Sequence, residues 1–314
     1  MNTSAAPVLF QPVKPQFTTA QVCETDFPLH AFGPHTALAV ITRIEGASYR
    51  PLGAAMAIEQ DGKRTGSLSS GCLERDVALH AQQALQDGSP RFLRYGTGSP
   101  FADIELPCGG GLEIAVLPQP QMAALAQARA RLAAREPAAI SVASSGAIVA
   151  AHAADALNIC IRPQPRMIVF GKGPEASCFA RIAQQAGYPV ELFSPDDETL
   201  AEAGFGRSLT TTGWPDGLNL DPYSAVVLFF HDHDREPALL AHALQSPAFL
   251  VGAQGSLRAH KSRCAALQGM GLPKAVIDRL ASPFGLILST RDPRTLAVSV
   301  LAQVLDRAAG LTRA

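Results

Sequence analysis

The stretch Met167-Ile-Val-Phe-Gly171-Lys-Gly173-Pro-Glu-Ala176 decides the fold of the C-terminal half of the chain. A short apolar run is followed by the spacing G-x-G-x-x-A and then by a helical pattern over residues 175–186. In such a unit the first glycine permits a tight turn, the second lets a phosphate approach the backbone, and the small third residue allows close packing of helix and strand. The stretch predicts a β-α-β unit whose helix N-terminus can receive an anion.

The same alternation of strand and helix continues to the end of the chain. Short apolar runs are typical of parallel strands that are covered on both faces, and they occur at residues 167–170, 190–193, 225–230 and 249–252. Helical patterns fall between and after them, at residues 175–186, 238–244, 256–267, 274–280 and 293–308. The pattern predicts a Rossmann-like, doubly wound parallel-sheet domain over residues 163–314.

Three further features of this domain are candidates for ligand contacts. Asp196 and Asp197 follow the glycines by about 20 residues, where a carboxylate can accept a hydrogen bond from a ribose hydroxyl. His231 and His233 come directly after an apolar run and can ligate a metal or a phosphate, while the aspartates between and after them can instead cap a helix. Ser256 can bind an anion or serve as an ordinary N-cap. A further alternative is that the crevice of this domain binds no ligand or serves another purpose, since the fold alone does not determine which ligand binds.

The N-terminal half has a different organisation. Strands are predicted at residues 36–44, 54–59, 91–95, 103–106 and 112–117, with a last pair near 140–151, and helices at 72–85 and 121–135. These elements predict a mixed α+β domain over residues 35–162, preceded by an extended arm at residues 1–34. The boundary is placed at Arg162-Pro-Gln-Pro-Arg166, because two prolines in four residues interrupt any element.

Two cysteines of this half lie in glycine-rich turns. Cys72 belongs to Gly66-Ser-Leu-Ser-Ser-Gly71-Cys72-Leu-Glu74, and Cys108 to Leu106-Pro-Cys108-Gly-Gly-Gly111. Glycine neighbours leave a thiol accessible, and the helix N-terminus predicted near Cys72 favours a thiolate that can bind a soft metal or accept sulfur. Glu74 is expected to accept a hydrogen bond from a ligand or to receive a proton. The alternative is that each thiol is a small buried side chain, the commonest fate of a free cysteine.

Composition narrows the possible partners. The 314 residues carry 26 Lys+Arg against 27 Asp+Glu and a net charge of -1, which gives no electrostatic footprint for nucleic acid or anionic lipid. No apolar stretch is long enough for a membrane span, and residues 1–17 do not resemble a signal peptide. We therefore expect a cytoplasmic protein whose six scattered cysteines are mostly reduced thiols, and a homodimer is the default expectation.

Taken together, the two cysteine motifs, the Rossmann-like unit with His-Asp-His, and the Gly-x-x-Gly-Ser segment resemble the xanthine dehydrogenase accessory protein family of the XdhC/CoxI type. The resemblance runs from about residue 36 to 305. It implies a cofactor chaperone rather than an enzyme, one that binds the molybdenum cofactor (molybdopterin), protects it, and delivers its sulfurated form to a molybdenum hydroxylase apoenzyme such as xanthine dehydrogenase. A cysteine desulfurase is a further partner to consider.

The resemblance also assigns residues. Cys72 and Cys108 would be the cofactor or sulfur-handling thiols and the ligands of the cofactor's molybdenum. The remaining cofactor contacts would come from Gly71, Glu74, Gly109, Gly110, Gly171, Gly173, Ala176, His231, His233 and Ser256.

Two other functions stay open at the level of sequence. The G-x-G-x-x-A spacing and Asp196 are compatible with an NAD(P)-dependent oxidoreductase that uses the Rossmann-like domain. A protein-interaction scaffold with a degenerate Rossmann domain would instead bury Cys72 and use the glycine turns only as architecture.

Overall fold

The computed structural model describes residues 19–71, 73–96, 109–118, 120–143, 148–149, 153–230 and 235–311. The chain divides into two compact units, Met1–Pro163 and Gln164–Ala314. Among the helices of the described ranges, none has both the length and the apolar character that crossing a lipid bilayer requires.

The described part of the N-terminal unit contains two sheets and two α-helices. Its elements in chain order are β1 Thr19–Cys23, β2 Thr36–Glu45, β3 Ala55–Glu59, β4 Arg64–Gly66, α1 Glu74–Asp87, β5 Arg91–Gly96, β6 Gly111–Leu117, α2 Met122–Ala133, β7 Ala138–Ala143, β8 Ile148–Val149 and β9 Ala156–Arg162. An antiparallel five-stranded sheet has the order β4-β3-β2-β6-β5, and a mixed four-stranded sheet has the order β1-β9-β7-β8.

The five-stranded sheet is buried on both faces. Along β2 the side chains alternate between the two faces, as in any strand. Ala39 and Ile41 pack with the apolar side of α1, and Leu38 and Val40 pack with the second sheet and α2. The result is a layered unit in which α1 covers one face of the central sheet. The loops leave from the two edges of the sheet at which the strands begin and end.

Helix α1 lies where the sequence predicts a helix. Val77, Ala81 and Ala84 are fully buried at helical spacing. Gly88 ends the helix in a left-handed conformation, with φ of 72°, and its N–H donates to the carbonyl of Ala84.

The described part of the predicted N-terminal arm is integral to this unit. Strand β1 pairs in parallel with β9, and the side chains of Phe27, Leu29 and Phe32 are buried in the core between the two sheets. The segment is rich in proline and threonine, but its few apolar residues are enough to pack it onto the sheet.

The C-terminal unit is a doubly wound α/β domain. Its elements are β10 Arg166–Gly171, α3 Pro174–Gln185, β11 Val190–Ser194, α4 Asp197–Ala203, β12 Arg207–Ser208, β13 Ser224–Phe229, α5 Glu236–Gln245, β14 Leu250–Ala253, α6 Leu257–Gly269, α7 Lys274–Ile277, β15 Leu280–Ala281 and α8 Pro293–Gly310. The sheet is parallel throughout and has the order β12-β11-β10-β13-β14-β15. This is the 3-2-1-4-5-6 order of the Rossmann fold, which confirms the fold class expected from sequence.

Helices cover both faces of this sheet. One apolar cluster joins the sheet to α3 and α8, and a second joins it to α5, α6 and the segment around Trp214. The strand order reverses between β10 and β13, so the crevice of the fold lies beyond the carboxyl ends of these two strands.

Two differences from the sequence prediction concern short elements. Residues 197–203, where a ribose-binding carboxylate was expected, form helix α4. The helix predicted at residues 274–280 ends at Ile277 and is followed by edge strand β15. The strand predicted at 103–106 lies outside the described residues.

Candidate functional site

Three loops of the N-terminal unit leave the five-stranded sheet at one edge. Because β2, β4 and β5 run in the same direction and β3 and β6 run against them, the ends of the first three and the starts of the other two share that edge. The loops are residues 46–54, 67–73 and 97–110. Cys72 and Cys108 belong to the second and third loops in sequence, but both lie outside the described residues. Their described neighbours Gly71, Gly109 and Gly110 belong to loops at the same sheet edge.

The loop 67–73 is organised around one carboxylate. The Oε1 atom of Glu74 accepts from Ser69 N at 2.7 Å and from Leu68 N at 3.1 Å, and the Ser67 hydroxyl lies 3.0 Å away. The Oε2 atom accepts from Ser69 Oγ at 2.8 Å and from Leu73 N at 3.2 Å. Glu74 is only 7% exposed, and five donors of the described loop bind it.

The charge state of Glu74 follows from these contacts. Burial acts to raise its pKa, but the hydrogen bonds from Ser69, from backbone N–H groups and from Ser67 outweigh burial and lower the pKa to about 2. The carboxyl group is therefore ionised and fully engaged with its own loop. This arrangement differs from the expectation that Glu74 contacts a ligand or receives a proton, because its acceptor oxygens already bind the protein.

The glycines of this edge fall into two groups. Gly66 and Gly110 are packing positions: a Cβ at Gly66 would lie 2.6 Å from the Ala55 carbonyl oxygen, and a Cβ at Gly110 would lie 2.6 Å from that of Glu45. Gly71 is different, because it combines a φ of +104° with open space around the position of a Cβ. The backbone beside Cys72 is therefore accessible from outside.

A charged network lies at the base of the loop that contains Cys108. Arg94, near the end of β5, donates to Glu113 Oε1 at 2.7 Å and to Glu45 Oε2 at 2.6 Å. Arg43 lies 2.8 Å from the other oxygen of Glu45. The hydrogen bond and charge of Glu45 raise the pKa of Arg94. Two arginines and two glutamates thus fix the strands on either side of this loop and leave no net charge there.

The first of the three loops, residues 46–54, contains two residues that the sequence interpretation missed. Tyr49 is 60% exposed, and the neighbouring Arg50 has a half-exposed side chain whose Nη1 lies 3.5 Å from Asp26 Oδ1. Tyr49 and Arg50 lie between a buried strand and Pro51 in the sequence. A search for exposed contact residues can find such a pattern. The strand topology is still needed to place it beside the cysteine loops.

In the C-terminal unit the glycine motif opens helix α3 at the carboxyl end of β10. A Cβ at Gly171 would lie 2.7 Å from Ala176 Cβ and 2.7 Å from the Phe229 carbonyl oxygen. Gly173 is the N-cap of α3 with a φ of 90°. The three small residues have the turn and packing geometry that their spacing predicts.

The phosphate position of this motif is taken by the protein itself. The N–H of Gly173 donates to Thr199 Oγ1 at 2.8 Å, and that hydroxyl donates to Asp196 Oδ2 at 2.6 Å. Asp196 is the N-cap of α4, and the hydrogen bond from the Thr199 hydroxyl is the main cause that lowers its pKa. The carboxylate of Glu175 lies 3.7 Å from the Cβ position of Gly173. The charge of Asp196 is offset by Lys172, whose Nζ lies 3.8 Å from Asp196 Oδ1. The occupied N–H and the Glu175 carboxylate disfavour a pyrophosphate, so the geometry does not support the NAD(P) alternative.

His231 and His233 lie outside the described residues. Helix α5, which follows them, is joined to α6 by a buried ion pair between Glu236 at the start of α5 and Arg263 on α6. Arg263 also donates to the carbonyl of Gln254, in the turn that leads to Ser256. The Ser256 hydroxyl accepts from Ala259 N at 3.2 Å and caps α6, as the simpler alternative predicts.

The other cysteines show no disulfide within the described part of the chain. Cys23, Cys160, Cys178 and Cys264 are free and half-buried. Burial raises the pKa of the Cys178 thiol. No group of three or more described His, Cys, Asp or Glu side chains is arranged to hold a metal ion.

Comparison with known proteins gives matches in both units. Residues 29–96 match the XdhC and CoxI family, and residues 167–304 match the XdhC Rossmann domain. The Escherichia coli K12 protein named molybdenum cofactor insertion chaperone PaoD is 32% identical over 284 residues, which cover 87% of this chain and 83% of that protein. A Bacillus subtilis protein named as a probable subunit of xanthine dehydrogenase is 22% identical over 311 residues, covering 86% of this chain and 92% of the relative.

Two further matches extend this comparison. The chain spans 43% of the length of an uncharacterised E. coli protein, YqeB, to which it is 23% identical over 283 residues. A solved Bacillus halodurans structure described as a xanthine dehydrogenase has a TM-score of 0.73 and 21% identity, covering 92% of this chain and 96% of the other. At that identity the structural match supports the fold.

Proposed function

This chain belongs to the XdhC and CoxI family, and from that membership we propose that it binds the molybdenum cofactor as cargo and hands it to a molybdenum hydroxylase apoenzyme. The relative with 32% identity is named a molybdenum cofactor insertion chaperone, which supports the class of cargo. The name of the Bacillus subtilis relative supports a partner of the xanthine dehydrogenase type. In this proposal the protein is a carrier, and the catalysis belongs to the enzyme that receives the cofactor.

The common sheet edge of the two cysteine loops is the observation on which the proposal rests. Strands β4 and β5, which lead into loops 67–73 and 97–110, end at the same edge of the five-stranded sheet, and each of these loops contains one of the two cysteines in sequence. Thiolate sulfur is a soft ligand that suits a metal such as molybdenum. We assign Cys72 and Cys108 as the residues that hold the metal-bearing end of the cofactor or its terminal sulfur.

The flanking backbone fits such a cargo. Gly71 leaves open space beside Cys72, and Gly109, with a φ of +65°, likewise has nothing near the position of a Cβ. Among the described residues, no side chain lies where a bulky ligand would approach these two glycines. Tyr49, exposed in loop 46–54 of this edge, offers an aromatic surface on which a flat pterin ring can stack.

Retention of molybdenum tests the assignment of the two thiols. The purified protein is loaded with molybdenum cofactor under anaerobic conditions and desalted, and bound molybdenum and pterin are measured per chain. We expect Cys72→Ala and Cys108→Ala each to lower retention by about 10-fold or more, since even residues that only support a metal ligand contribute that much. Cys160→Ala, a half-buried thiol of the same unit, is the matched control and should retain as much as the wild type.

Transfer is tested separately from binding. Loaded protein is mixed with a cofactor-free molybdenum hydroxylase of the xanthine dehydrogenase type, and the activity gained is compared with that from free cofactor. Higher activation by the loaded protein, together with protection of the cofactor in air, is the expected result. Equal retention in the wild type and both cysteine variants would refute the thiol assignment, and activation no better than free cofactor would refute the delivery role. Delivery of a sulfurated cofactor, assistance by a cysteine desulfurase and homodimer formation remain predictions.

A further inference from the structure

Both chain neighbours of Cys72 are held by the same pair of side chains. The N–H of Gly71 donates to Ser69 Oγ at 3.2 Å, and the Ser69 hydroxyl donates to Glu74 Oε2 at 2.8 Å. The N–H of Leu73 lies within hydrogen-bond distance of both acceptors, at 3.2 Å from Glu74 Oε2 and 3.4 Å from Ser69 Oγ. The backbone on either side of the cysteine therefore depends on one buried carboxylate.

The same contacts engage four of the described N–H groups of the loop. A glycine-rich turn before a helix would ordinarily present free N–H groups to an anion. Here the N–H groups of Leu68, Ser69 and Leu73 bind the side chain of Glu74, and that of Gly71 binds Ser69. An internal carboxylate occupies the place that a phosphate would need.

We propose that Glu74 is a positioning and specificity residue of the cargo site: it holds loop 67–73 in the conformation that presents Cys72, and it reserves this loop for the soft metal end of the cargo rather than its phosphate. This inference rests on the proposed function, because it takes Cys72 as a cargo thiol. It goes further in assigning which end of the ligand the loop receives. The anionic end of the cargo binds elsewhere on the protein.

Glu74 is distinguishable from an ordinary acidic residue at a helix start. Asp76 lies in the same first turn of α1 and also binds a buried partner, since the Tyr95 hydroxyl donates to Asp76 Oδ2 at 2.6 Å. None of the described hydrogen bonds of loop 67–73 involves Asp76. Asp76→Asn therefore serves as the matched control. It removes a charge and a stabilising contact from α1 but keeps the hydrogen bonds of loop 67–73.

The test measures thiol labelling and does not require the cofactor. Wild type, Glu74→Gln and Asp76→Asn are treated with iodoacetamide in the native state, and labelling of Cys72 is followed by peptide mass spectrometry with Cys23 as the internal reference. In Glu74→Gln the side-chain amide cannot accept all five donors. We expect Cys72 to be labelled faster on the order of 10-fold, the effect of losing one charge-assisted hydrogen bond of the loop. Cys23 labelling should stay unchanged, and Asp76→Asn should behave as the wild type.

Inorganic phosphate tests the second half of the proposal. We expect millimolar phosphate to leave the labelling rate of Cys72 in the wild type unchanged, because four described N–H groups of the loop already bind side-chain acceptors. Phosphate protection of Cys72 in the wild type would overturn the assignment of the metal end. Equal Cys72 labelling in Glu74→Gln and Asp76→Asn, or a parallel rise at Cys23, would overturn the positioning role.

A second variant covers the case in which Glu74→Gln fails to fold. Ser69→Ala keeps the carboxylate but removes the hydroxyl that joins it to Gly71 N, and it should also accelerate labelling of Cys72 relative to Cys23. Labelling equal to that of Asp76→Asn would overturn the proposal. These labelling measurements use no molybdenum, so they decide the role of Glu74 independently of the cofactor. A failure of cofactor retention would refute the proposed function alone.

Discussion

Arg263 and Glu236 form a two-point ion pair inside the C-terminal unit. Arg263 Nε lies 2.7 Å from Glu236 Oε2, and Arg263 Nη2 lies 2.8 Å from Oε1. The two side chains are 3% and 0% exposed. The pair joins α6 to the start of α5, directly after the segment that contains His231 and His233. It thus fixes the start of the helix that follows β13, one of the two strands whose carboxyl ends border the crevice of the fold.

Removal of one partner of this pair should destabilise the C-terminal unit strongly. Arg263→Ala removes both hydrogen bonds that Arg263 donates to the buried Glu236 carboxylate, and breaking a buried ion pair typically costs about 3–5 kcal/mol. Urea unfolding followed by the fluorescence of Trp214, in the same unit, measures this loss. Lys274→Ala breaks an exposed pair with Asp278 on the short helix α7 and should change the midpoint little. Similar midpoints for the two variants would contradict the view that the buried pair supports the unit.

The stability of the N-terminal unit should depend on pH through Glu74. Its pKa in the folded protein is about 2, below its ordinary value of 4.5. A lowered pKa stabilises the folded state above the unfolded value, and this contribution is lost as pH falls from about 4.5 towards 2. At neutral pH it amounts to at most about 3 kcal/mol.

The difference between wild type and Glu74→Gln isolates this effect from other carboxylates. Thermal unfolding of both proteins is recorded between pH 7 and pH 3. We expect the wild type to be the more stable at pH 7, and the gap to narrow below pH 4.5 as its carboxyl group takes up a proton. A gap that stays constant down to pH 3 would show that the charge of Glu74 does not hold the loop.

The Rossmann-like unit was predictable because its signals are local. The tight turn at Gly171, the small residue at Ala176 and the short apolar strands each follow from residue type and spacing. Reliance on local spacing also explains why the prediction for Asp196 differs from the structure. Asp196 was expected to bind a ribose because it lies at the usual distance from the glycines, whereas it caps helix α4 through Thr199. An aspartate followed three residues later by a threonine is also typical of a helix N-cap. The sequence therefore allowed two interpretations of Asp196, as an N-cap and as a ribose contact.

The role of Glu74 could not be predicted from the same kind of pattern. Sequence places a carboxylate two residues after Cys72, but whether it faces a ligand or its own loop depends on how the turn 67–73 folds back. Strand β1 posed a similar problem, since its parallel partner β9 lies more than 130 residues away in the chain. The common edge of the cysteine loops likewise follows from the strand order, which only the structure provides.

Gly171 should not tolerate a side chain. In Gly171→Ala the new methyl group would meet Ala176 Cβ and the Phe229 carbonyl oxygen, each at 2.7 Å. Overpacking of this kind typically costs about 1–3 kcal/mol, and thermal unfolding should report a lower midpoint. The matched control is Gly269→Ala at the end of α6, where no atom lies near the new Cβ. That variant should keep the wild-type midpoint or exceed it slightly, because alanine is the better helix former. Equal midpoints would mean that the contact of β10 with α3 is loose.

NAD⁺ and NADP⁺ should not bind the glycine motif. The N–H of Gly173, which a pyrophosphate would need, donates to Thr199 Oγ1 at 2.8 Å, and the carboxylates of Glu175 and Asp196 lie close to the same turn. An incoming phosphate would have to break that hydrogen bond and lie beside the Glu175 carboxylate. Thermal unfolding in about 1 mM NAD⁺ or NADP⁺, the upper end of ordinary enzyme affinities, should therefore leave the midpoint unchanged. A nicotinamide-dependent dehydrogenase with the same strand order serves as the positive control. A clear, saturable upward shift would mean that Thr199 yields to the ligand, and it would restore the oxidoreductase interpretation of this domain.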